Sequence, residues 1–175
     1  MRPFTALGLD FAAHGRPDRT HTAPVVAVAC SPTLLVTGDA SGALRVRSMP
    51  QARGLGVGPS IRSGHAVNAV AIVGPAAFVV GGQDGALRRF AARDVPSGVD
   101  SAAQQTAAAW HGTTRAAVTA VARQAVYDDD DADADPDFVA SASADGSYAV
   151  WAAADLELVV LVLCDAEPLL SIAWR

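Results

Sequence analysis

The densest cluster of oxygen ligands in the chain is an acidic run, Asp128 to Asp137, in which seven of ten residues are Asp. Asp131, Asp133 and Asp135 alternate as the first ligands of a calcium loop do. Pro136, however, stands where such a loop needs Gly, and the closing Glu is missing. The run therefore favours a solvated loop, with a cation site or an acidic contact for a basic partner as the alternative.

Other reactive side chains lack the spacing that chemistry requires. The histidines show no metal-ligand pattern, and no nucleophile elbow is present. They are His14, His21, His65 and His111. Cys30 follows an inner-strand pattern and is expected to be a small core residue rather than half of a Cys–His dyad. Gly54 to Pro59 lacks the third Gly of a dinucleotide loop and the βαβ unit around it. We therefore predict no catalytic residue, cofactor or metal site.

The composition is that of a globular domain, with 51% hydrophobic and 18% charged residues. The formal net charge of -5 argues against a nucleic-acid partner, because phosphate binding needs a basic surface. All 13 basic residues are Arg, so Lys-dependent chemistry is absent. Two cysteines cannot build a disulfide framework, which fits a cytoplasmic location, with a nuclear one as the alternative.

No membrane segment is expected. The longest apolar run, Leu158 to Cys164, is far shorter than the ~18 residues that span a bilayer. It is flanked by Glu157 and Asp165, and this arrangement predicts a buried strand. Met1 to Thr20 contains no apolar signal segment, and its two Asp argue against the organellar transit peptide that its arginines suggest.

A repeated unit must position these side chains. A four-residue phrase begins at Val25, Val67, Val118 and Leu169, at intervals of 42, 51 and 51 residues. The first three copies are each followed by a turn pair, namely Ser41-Gly42, Asp84-Gly85 and Asp145-Gly146. Self-similarity at a period of about 40 to 50 residues indicates a repeat architecture.

Each unit is predicted to hold short apolar strands separated by turns that contain Gly or Pro. The predicted strands are Val25–Ala29, Leu34–Thr37 and Ala43–Arg47, then Val67–Ile72, Phe78–Gly81 and Ala86–Phe90, then Val118–Arg123, Phe138–Ala142 and Ser147–Trp151. Fourth strands are predicted at Gln104–Trp110 and Leu156–Leu163. Four antiparallel strands in each unit predict the blades of a β-propeller.

These units resemble the WD-repeat family. His21 to Pro32 is similar to the opening of a WD unit, and Gly64-His65 supplies its Gly-His pair in the second unit. Ser141 to Trp151 is similar to the second half of such a unit. The resemblance covers about residues 21 to 175 and implies an all-β, partial β-propeller of four-stranded antiparallel blades. The expected units are 21–63, 64–110, 111–164 and the start of a fourth at 165–175, with 1–20 as an N-terminal arm or outer strand.

The resemblance also implies a hydrogen-bonded set in each blade: a His before the inner strand, a Ser or Thr on the second strand, the turn Asp, and a Trp on the third strand. The third unit offers His111, Ser141, Asp145 and Trp151. The second unit offers His65, Val80, Asp84 and Phe90. The first offers His21, Thr37, Ser41 and Arg47. Only the third unit keeps the full set, so the other two are expected to be looser or covered by something else.

Arginines occupy strand positions where apolar side chains are expected. Arg47 stands in the Trp position, and Arg89 aligns with Val46 and Val150. Because propeller sheets bury both faces, a guanidinium there must pair, stack or extend to solvent. The alternatives are a partly exposed strand and a partner-binding arginine. The candidate partner contacts are Arg47, Arg88, Arg89, Asp129 and Asp131.

The resemblance implies a non-catalytic scaffold that binds other protein subunits. Three units and one strand cannot close a ring of about 4 to 8 blades. We therefore expect an open fold that is a truncated piece of a propeller, a half that another polypeptide completes, or a unit that self-associates. The alternatives are a propeller-based hydrolase and an RNA-contacting subunit of a ribonucleoprotein that uses Arg45, Arg47, Arg88 and Arg89.

Overall fold

The computed structural model describes residues 21–48, 61–93, 102–124, 138–164 and 167–174, and within them it contains strands and no helix. The strands are β1 (Val25–Cys30), β2 (Leu34–Asp39), β3 (Ala43–Ser48), β4 (Ile61–Arg62), β5 (Val67–Gly74), β6 (Ala77–Gly82), β7 (Ala86–Arg93), β8 (Ala102–Trp110), β9 (Val118–Arg123), β10 (Phe138–Ser143), β11 (Ser147–Ala152) and β12 (Leu158–Leu163). Their order along the chain follows the predicted repeats.

The strands form three four-stranded antiparallel sheets, β1 to β4, β5 to β8 and β9 to β12, in each of which neighbours in sequence are neighbours in space. The turn between the second and third strand of each sheet has a Gly at positive φ. These are Gly42, Gly85 and Gly146, with φ of 86°, 80° and 82°. Only Gly adopts this conformation without a steric penalty, which is why the turn pairs in the sequence located the hairpins.

The sheets pack face to face in chain order and bury two apolar clusters. The first cluster joins Val36 and Leu44 of the first sheet to Ile72, Phe78 and Phe90 of the second. The two phenylalanine rings stack with centroids 5.3 Å apart. The second cluster joins the second sheet to the third, and its members include Val73, Val79, Leu87, Val139, Trp151 and Leu156. Burial between adjacent sheets is the stabilising feature of a stack of propeller blades.

Glycine allows the inner strand of one sheet to approach the second strand of the preceding sheet closely. A Cβ at Gly38 on β2 would lie 2.5 Å from Cγ1 of Val67, the first residue of β5. A Cβ at Gly81 on β6 would lie 2.5 Å from Cγ1 of Val118, the first residue of β9. The repeated phrase therefore begins, in both copies, with a valine that packs onto a glycine of the preceding sheet.

The fourth copy of the phrase continues this arrangement. The backbone N–H of Leu169 donates to the carbonyl of Ser143 at 3.1 Å, and the Trp174 indole donates to the carbonyl of Ala122 at 3.2 Å. Thr119 donates through its hydroxyl to the Leu169 carbonyl, as Asn68 does through its amide to the Val118 carbonyl at 3.0 Å. Residues 167–174 thus lie against the third sheet where the inner strand of a following blade would lie. The expected all-β, open partial propeller is confirmed.

Two predictions about burial were wrong. Cys30 is exposed, not a core residue, because the face of β1 that carries it has no sheet packed against it within the described residues. The apolar run in Leu158 to Cys164 forms an exposed strand, not a buried one, because β12 is the last strand of its sheet. Both errors arise because burial of a strand depends on a neighbouring sheet as well as on its own hydrophobicity.

Several predicted features lie outside the described residues. These are the arm at 1–20, the glycine-rich Gly54 to Pro59, and the acidic run Asp128 to Asp137 with Asp129 and Asp131. Within the part of the chain that the structure describes, none of the secondary-structure elements is a helix that could cross a bilayer.

Candidate functional site

A chain of four side-chain hydrogen bonds runs through the third sheet. The Trp151 indole N–H donates to Ser141 Oγ at 2.8 Å, and Ser141 Oγ lies 2.8 Å from His111 Nδ1. His111 Nε2 lies 2.8 Å from Ser147 Oγ, and the Ser147 hydroxyl donates to Asp145 Oδ1. The loop before β9 supplies the histidine, whereas β10, the β10–β11 turn and β11 supply the other four members.

The Asp145 end of this network and the burial of His111 together set the direction of each hydrogen bond. Because the Asp145 carboxylate can only accept, Ser147 donates to it and accepts from His111 Nε2–H. Burial disfavours the imidazolium and holds the pKa of His111 below its ordinary value, although the nearby Asp145 charge opposes this. His111 is therefore neutral with its proton on Nε2, and its Nδ1 accepts from the Ser141 hydroxyl, whose oxygen accepts from the Trp151 indole.

Asp145 anchors the network at the turn. Burial by itself would raise the pKa of this carboxyl, but hydrogen bonds from Ser147, Thr114 and Ser143 favour the ionised form and bring its pKa below the ordinary value. The Ser147 backbone N–H also donates to Asp145 Oδ1 at 3.1 Å. The carboxylate thus ties the β10–β11 turn to the loop that carries Thr114.

The four residues proposed for the third unit therefore lie together, but Asp145 reaches His111 through Ser147. This serine was missed by sequence reasoning. The equivalent first residues of β3 and β7 are Ala43 and Ala86. A hydroxyl in one repeat where the other two have Ala was the available signal.

The first sheet builds a related site from different residues. His21 Nε2 lies 2.7 Å from Thr37 Oγ1, and His21 Nδ1 lies 2.8 Å from a carboxylate oxygen of Asp39. The other Asp39 oxygen accepts from the Ser41 backbone N–H at 2.9 Å, from the Ser41 hydroxyl at 2.7 Å and from the Ala43 N–H at 3.0 Å. Ser41 precedes Gly42 in the turn as Asp84 and Asp145 precede their glycines, but Asp39, two residues earlier, supplies the carboxylate that His21 contacts.

Asp39 has no exposed surface, and burial by itself would raise its pKa. The hydrogen bonds from Ser41, His21 and Ala43 outweigh that effect and lower the pKa of Asp39 from 3.8 to about 2. In the first blade, an ionised Asp39 therefore accepts hydrogen bonds from His21 on one carboxylate oxygen and from the turn on the other.

The second sheet has an Arg–Asp ion pair where the other two sheets have a hydrogen-bonded His. Arg88 donates to the two oxygens of Asp84 at 3.1 and 2.5 Å, and His65, whose side chain is 56% exposed, lies 3.5 Å from the same carboxylate. Burial opposes ionisation, but Arg88 keeps the pKa of Asp84 below its ordinary value. Val80 and Phe90, in the hydroxyl and Trp positions, are buried in the first apolar cluster. His65, Asp84 and Phe90 are thus not joined in one network.

The candidate contact arginines mostly bond within the stack. Arg89 Nε donates to the Ala153 carbonyl at 2.9 Å, which ties β7 to the loop after β11, and its Nη1 donates to Thr106 Oγ1 at 3.1 Å. Arg88 is engaged by Asp84. Arg45 is buried on β3, and Arg47 on the same strand is half-buried. The guanidinium groups of Arg88 and Arg89 are therefore structural in this arrangement.

Comparison with known proteins identifies the fold. No family model matches the chain, and no curated protein matches it. Among solved structures, it is similar to the β-propeller domain of Cps50 (Swd1) from Myceliophteria thermophila, with a TM-score of 0.64 and 15% identity over 86% of this chain and 44% of that chain. It is also similar to the computationally designed proteins Ika8 and Ika4, both at 20% identity over 86% of this chain, with TM-scores of 0.61 and 0.57.

The match covers 40% of Ika8 and 79% of Ika4. The chain therefore spans less than half of the length of the Cps50 domain and of Ika8. At these identities the likeness concerns the fold alone, and that fold is a β-propeller.

Proposed function

We propose that the chain is a non-catalytic protein–protein interaction module of the WD-repeat type, which acts as one part of a larger assembly. The observation that carries this proposal is the distribution of polar and apolar side chains. The polar residues of the blades bond to one another inside the stack, whereas long aliphatic side chains at its two ends face solvent. Contiguous exposed apolar surface of this kind is typical of sites that bind another protein.

Most of the exposed large apolar residues fall on the first and last strands of the stack, with Trp110 on β8 as an exception. On β1, Val25 and Val26 are each about half exposed and Val28 is 65% exposed. On β12 and in the following segment, Leu163 and Leu170 are the most exposed.

The hydrolase alternative would need an accessible nucleophile. His111, Ser147 and Asp145 form a Ser–His–Asp combination, but His111 is fully buried and Ser147 is nearly so. The Ser147 hydroxyl also donates to Asp145 rather than to the imidazole. A general base must accept the proton of the nucleophile, so this direction favours a structural role.

The RNA alternative would need arginines that can reach phosphates. Arg88 is paired with Asp84, and Arg89 donates to the Ala153 carbonyl and to Thr106. A net charge of -5 adds to the unfavourable electrostatics for an anionic partner. The scaffold proposal is therefore favoured over both alternatives.

Affinity capture with the whole 175-residue chain, combined with cross-linking and mass spectrometry, tests the proposal. Since the chain has no Lys, the reagent should couple carboxylates, and Asp155, Glu157 and Glu167 are exposed targets. We expect reproducible protein partners cross-linked to these positions. Hydrolysis of an ester substrate that is lost in His111→Ala, or salt-dependent RNA binding, would contradict the proposal.

A further inference from the structure

The outer strand of the third sheet differs from the other two outer strands. All six residues of β12 are Leu or Val, and five of them are between 40% and 78% exposed, namely Leu158, Val159, Val160, Leu161 and Leu163. By contrast, β8 exposes Gln104, Gln105 and Thr106 at its centre, and β4 is only 2 residues long. Only β12, among the described outer strands, combines length with large apolar side chains.

The outward edge of β12 has no paired strand in the described part of the chain. The sheet order is β12-β11-β10-β9, so β12 bonds to β11 on one side only. Proteins usually protect such edges with charged residues, Pro or very short strands, because an open edge pairs readily with another chain. None of these devices occurs between Leu158 and Leu163.

The apolar surface of β12 lies on both of its faces. Val160 is opposite Val150, whereas Leu161 is opposite Ala149, which packs toward the second sheet. Because successive side chains of a strand point to opposite faces, these two residues cover opposite sides of the sheet. An occupant that satisfies the backbone edge must itself be an extended strand, since a helix has already paired its own backbone groups. The side chains of such a strand lie beside those of β12 on both faces.

Acidic residues at both ends of β12 determine which extended strands can pair with it. Asp155 and Glu157 are exposed immediately before β12, and Asp165 follows Cys164 in the sequence. Antiparallel pairing of β12 with the same strand of a second copy would bring Glu157 of one copy toward the end that leads into Asp165 of the other. Like charges brought together across a strand pair are destabilising, so self-pairing is disfavoured and a basic flank is favoured.

We propose that β12 is a docking edge that takes up an extended, apolar segment of a partner protein, flanked by Arg or Lys, as a fifth strand of the third sheet. This inference rests on the proposed scaffold function and specifies the surface and the chemistry of its partner. Main-chain hydrogen bonds to the edge would supply affinity, and the aliphatic side chains on the two faces would supply specificity for alternating apolar residues.

The test uses the whole chain and a labelled peptide, Arg-Thr-Val-Thr-Val-Thr-Val-Arg, measured by fluorescence anisotropy. The Val159→Lys variant places a charge on the exposed edge strand. The matched control, Gln105→Lys, places the same charge on the exposed outer strand β8. We expect about tenfold weaker binding for Val159→Lys and none of this loss for Gln105→Lys. Unchanged melting curves show that both variants are folded.

Two peptide controls separate edge pairing from simple adhesion. The same peptide with Glu at both ends should bind about tenfold more weakly, and Glu157→Gln should reduce that difference. A peptide N-methylated at alternate residues cannot donate along one edge and should not bind. Hydrogen exchange should slow at the amides of Leu158–Leu163 only with the parent peptide.

Three results would overturn the inference: no binding of the Arg-flanked peptide, equal binding of both flanks, or equal binding to Val159→Lys. A dimer in sedimentation that Val159→Lys dissociates would identify a second copy as the occupant and would also overturn it. If affinity capture recovers the same partners with Val159→Lys, the docking edge is wrong while the scaffold proposal stands. If wild type recovers none, the scaffold proposal itself fails.

Discussion

Removing one hydroxyl from the buried network of the third blade tests the direction of the hydrogen bonds in that network and their contribution to the free energy of unfolding. In Ser147→Ala, the Nε2–H of the fully buried His111 loses its acceptor, and Asp145 loses one donor. A stranded buried donor costs about 1–3 kcal/mol, and the second lost bond adds about 1 kcal/mol. Since Asp145 keeps the Ser147 backbone N–H and Thr114, we expect a total loss of about 2–4 kcal/mol.

Equilibrium urea unfolding at neutral pH measures this loss, with Ser41→Ala as the matched control. Ser41 also donates its hydroxyl to a turn carboxylate, that of Asp39, but it is exposed. Water can therefore replace its hydroxyl, and we expect a cost of about 1 kcal/mol or less. A double-mutant cycle between His111→Ala and Ser147→Ala should give a coupling energy of about 1–2 kcal/mol.

The effect of Ser147→Ala should also depend on pH. The hydrogen bonds lower the folded-state pKa of Asp145, so their contribution is present above the unfolded value and is lost as pH falls through the folded one. The difference between wild type and variant should therefore be largest near neutrality and shrink in acid. Equal costs for Ser147→Ala and Ser41→Ala, or additive effects of His111→Ala and Ser147→Ala, would refute the network as described.

Three further predictions concern the other blades. Gly38→Ala should destabilise by about 1–3 kcal/mol, since the new methyl meets Val67, and adding Val67→Ala should cost less than the sum of the two single changes in urea unfolding. Asp39, with a pKa of about 2 against 3.8, should contribute about 2 kcal/mol above pH 4, lost as pH falls toward 2. Asp39→Asn should flatten that part of a pH series of urea midpoints. Arg89→Gln should remove the bond to the Ala153 carbonyl and speed hydrogen exchange in the loop after β11.

Each of these three has an outcome that contradicts it. Additive losses in the Gly38 and Val67 cycle would show that the two side chains do not clash. If the urea midpoints of wild type and Asp39→Asn fall equally between pH 4 and pH 2, this carboxylate is not the titrating group. Unchanged exchange in Arg89→Gln would show that the guanidinium does not hold the two blades together.

The strand and turn pattern could be predicted because its causes are local. Gly42, Gly85 and Gly146 need positive φ, and a Gly after Ser or Asp is visible in the sequence. The observed strands, apart from β4, lie where the sequence pattern predicted them, with differences of a few residues at their ends. The short strand β4 was not predicted. The third-blade residues could be proposed because all four positions that the WD-repeat resemblance implies are filled there.

The hydrogen-bond partners within the polar sites could not be predicted in the same way. Which side chain contacts His21 depends on where the loop before β1 places its ring, and Asp39 rather than Ser41 does so, although both lie at the same turn. Likewise, Ser147 reaches His111 only because β11 and the loop before β9 converge. These contacts join residues far apart in sequence, and the number of residues between two side chains does not predict the distance between them in the fold.

By itself, the sequence determined the repeat, the antiparallel strands and the hairpins, because hydrophobic runs and glycine turns act within a few residues. The tertiary structure decided which apolar strands are covered. β6 and β12 are both strongly apolar, yet β6 is buried throughout and β12 is mostly exposed. The difference lies in their positions, since β6 is bonded on both edges and packed between two sheets, whereas β12 ends its sheet and leaves one edge open.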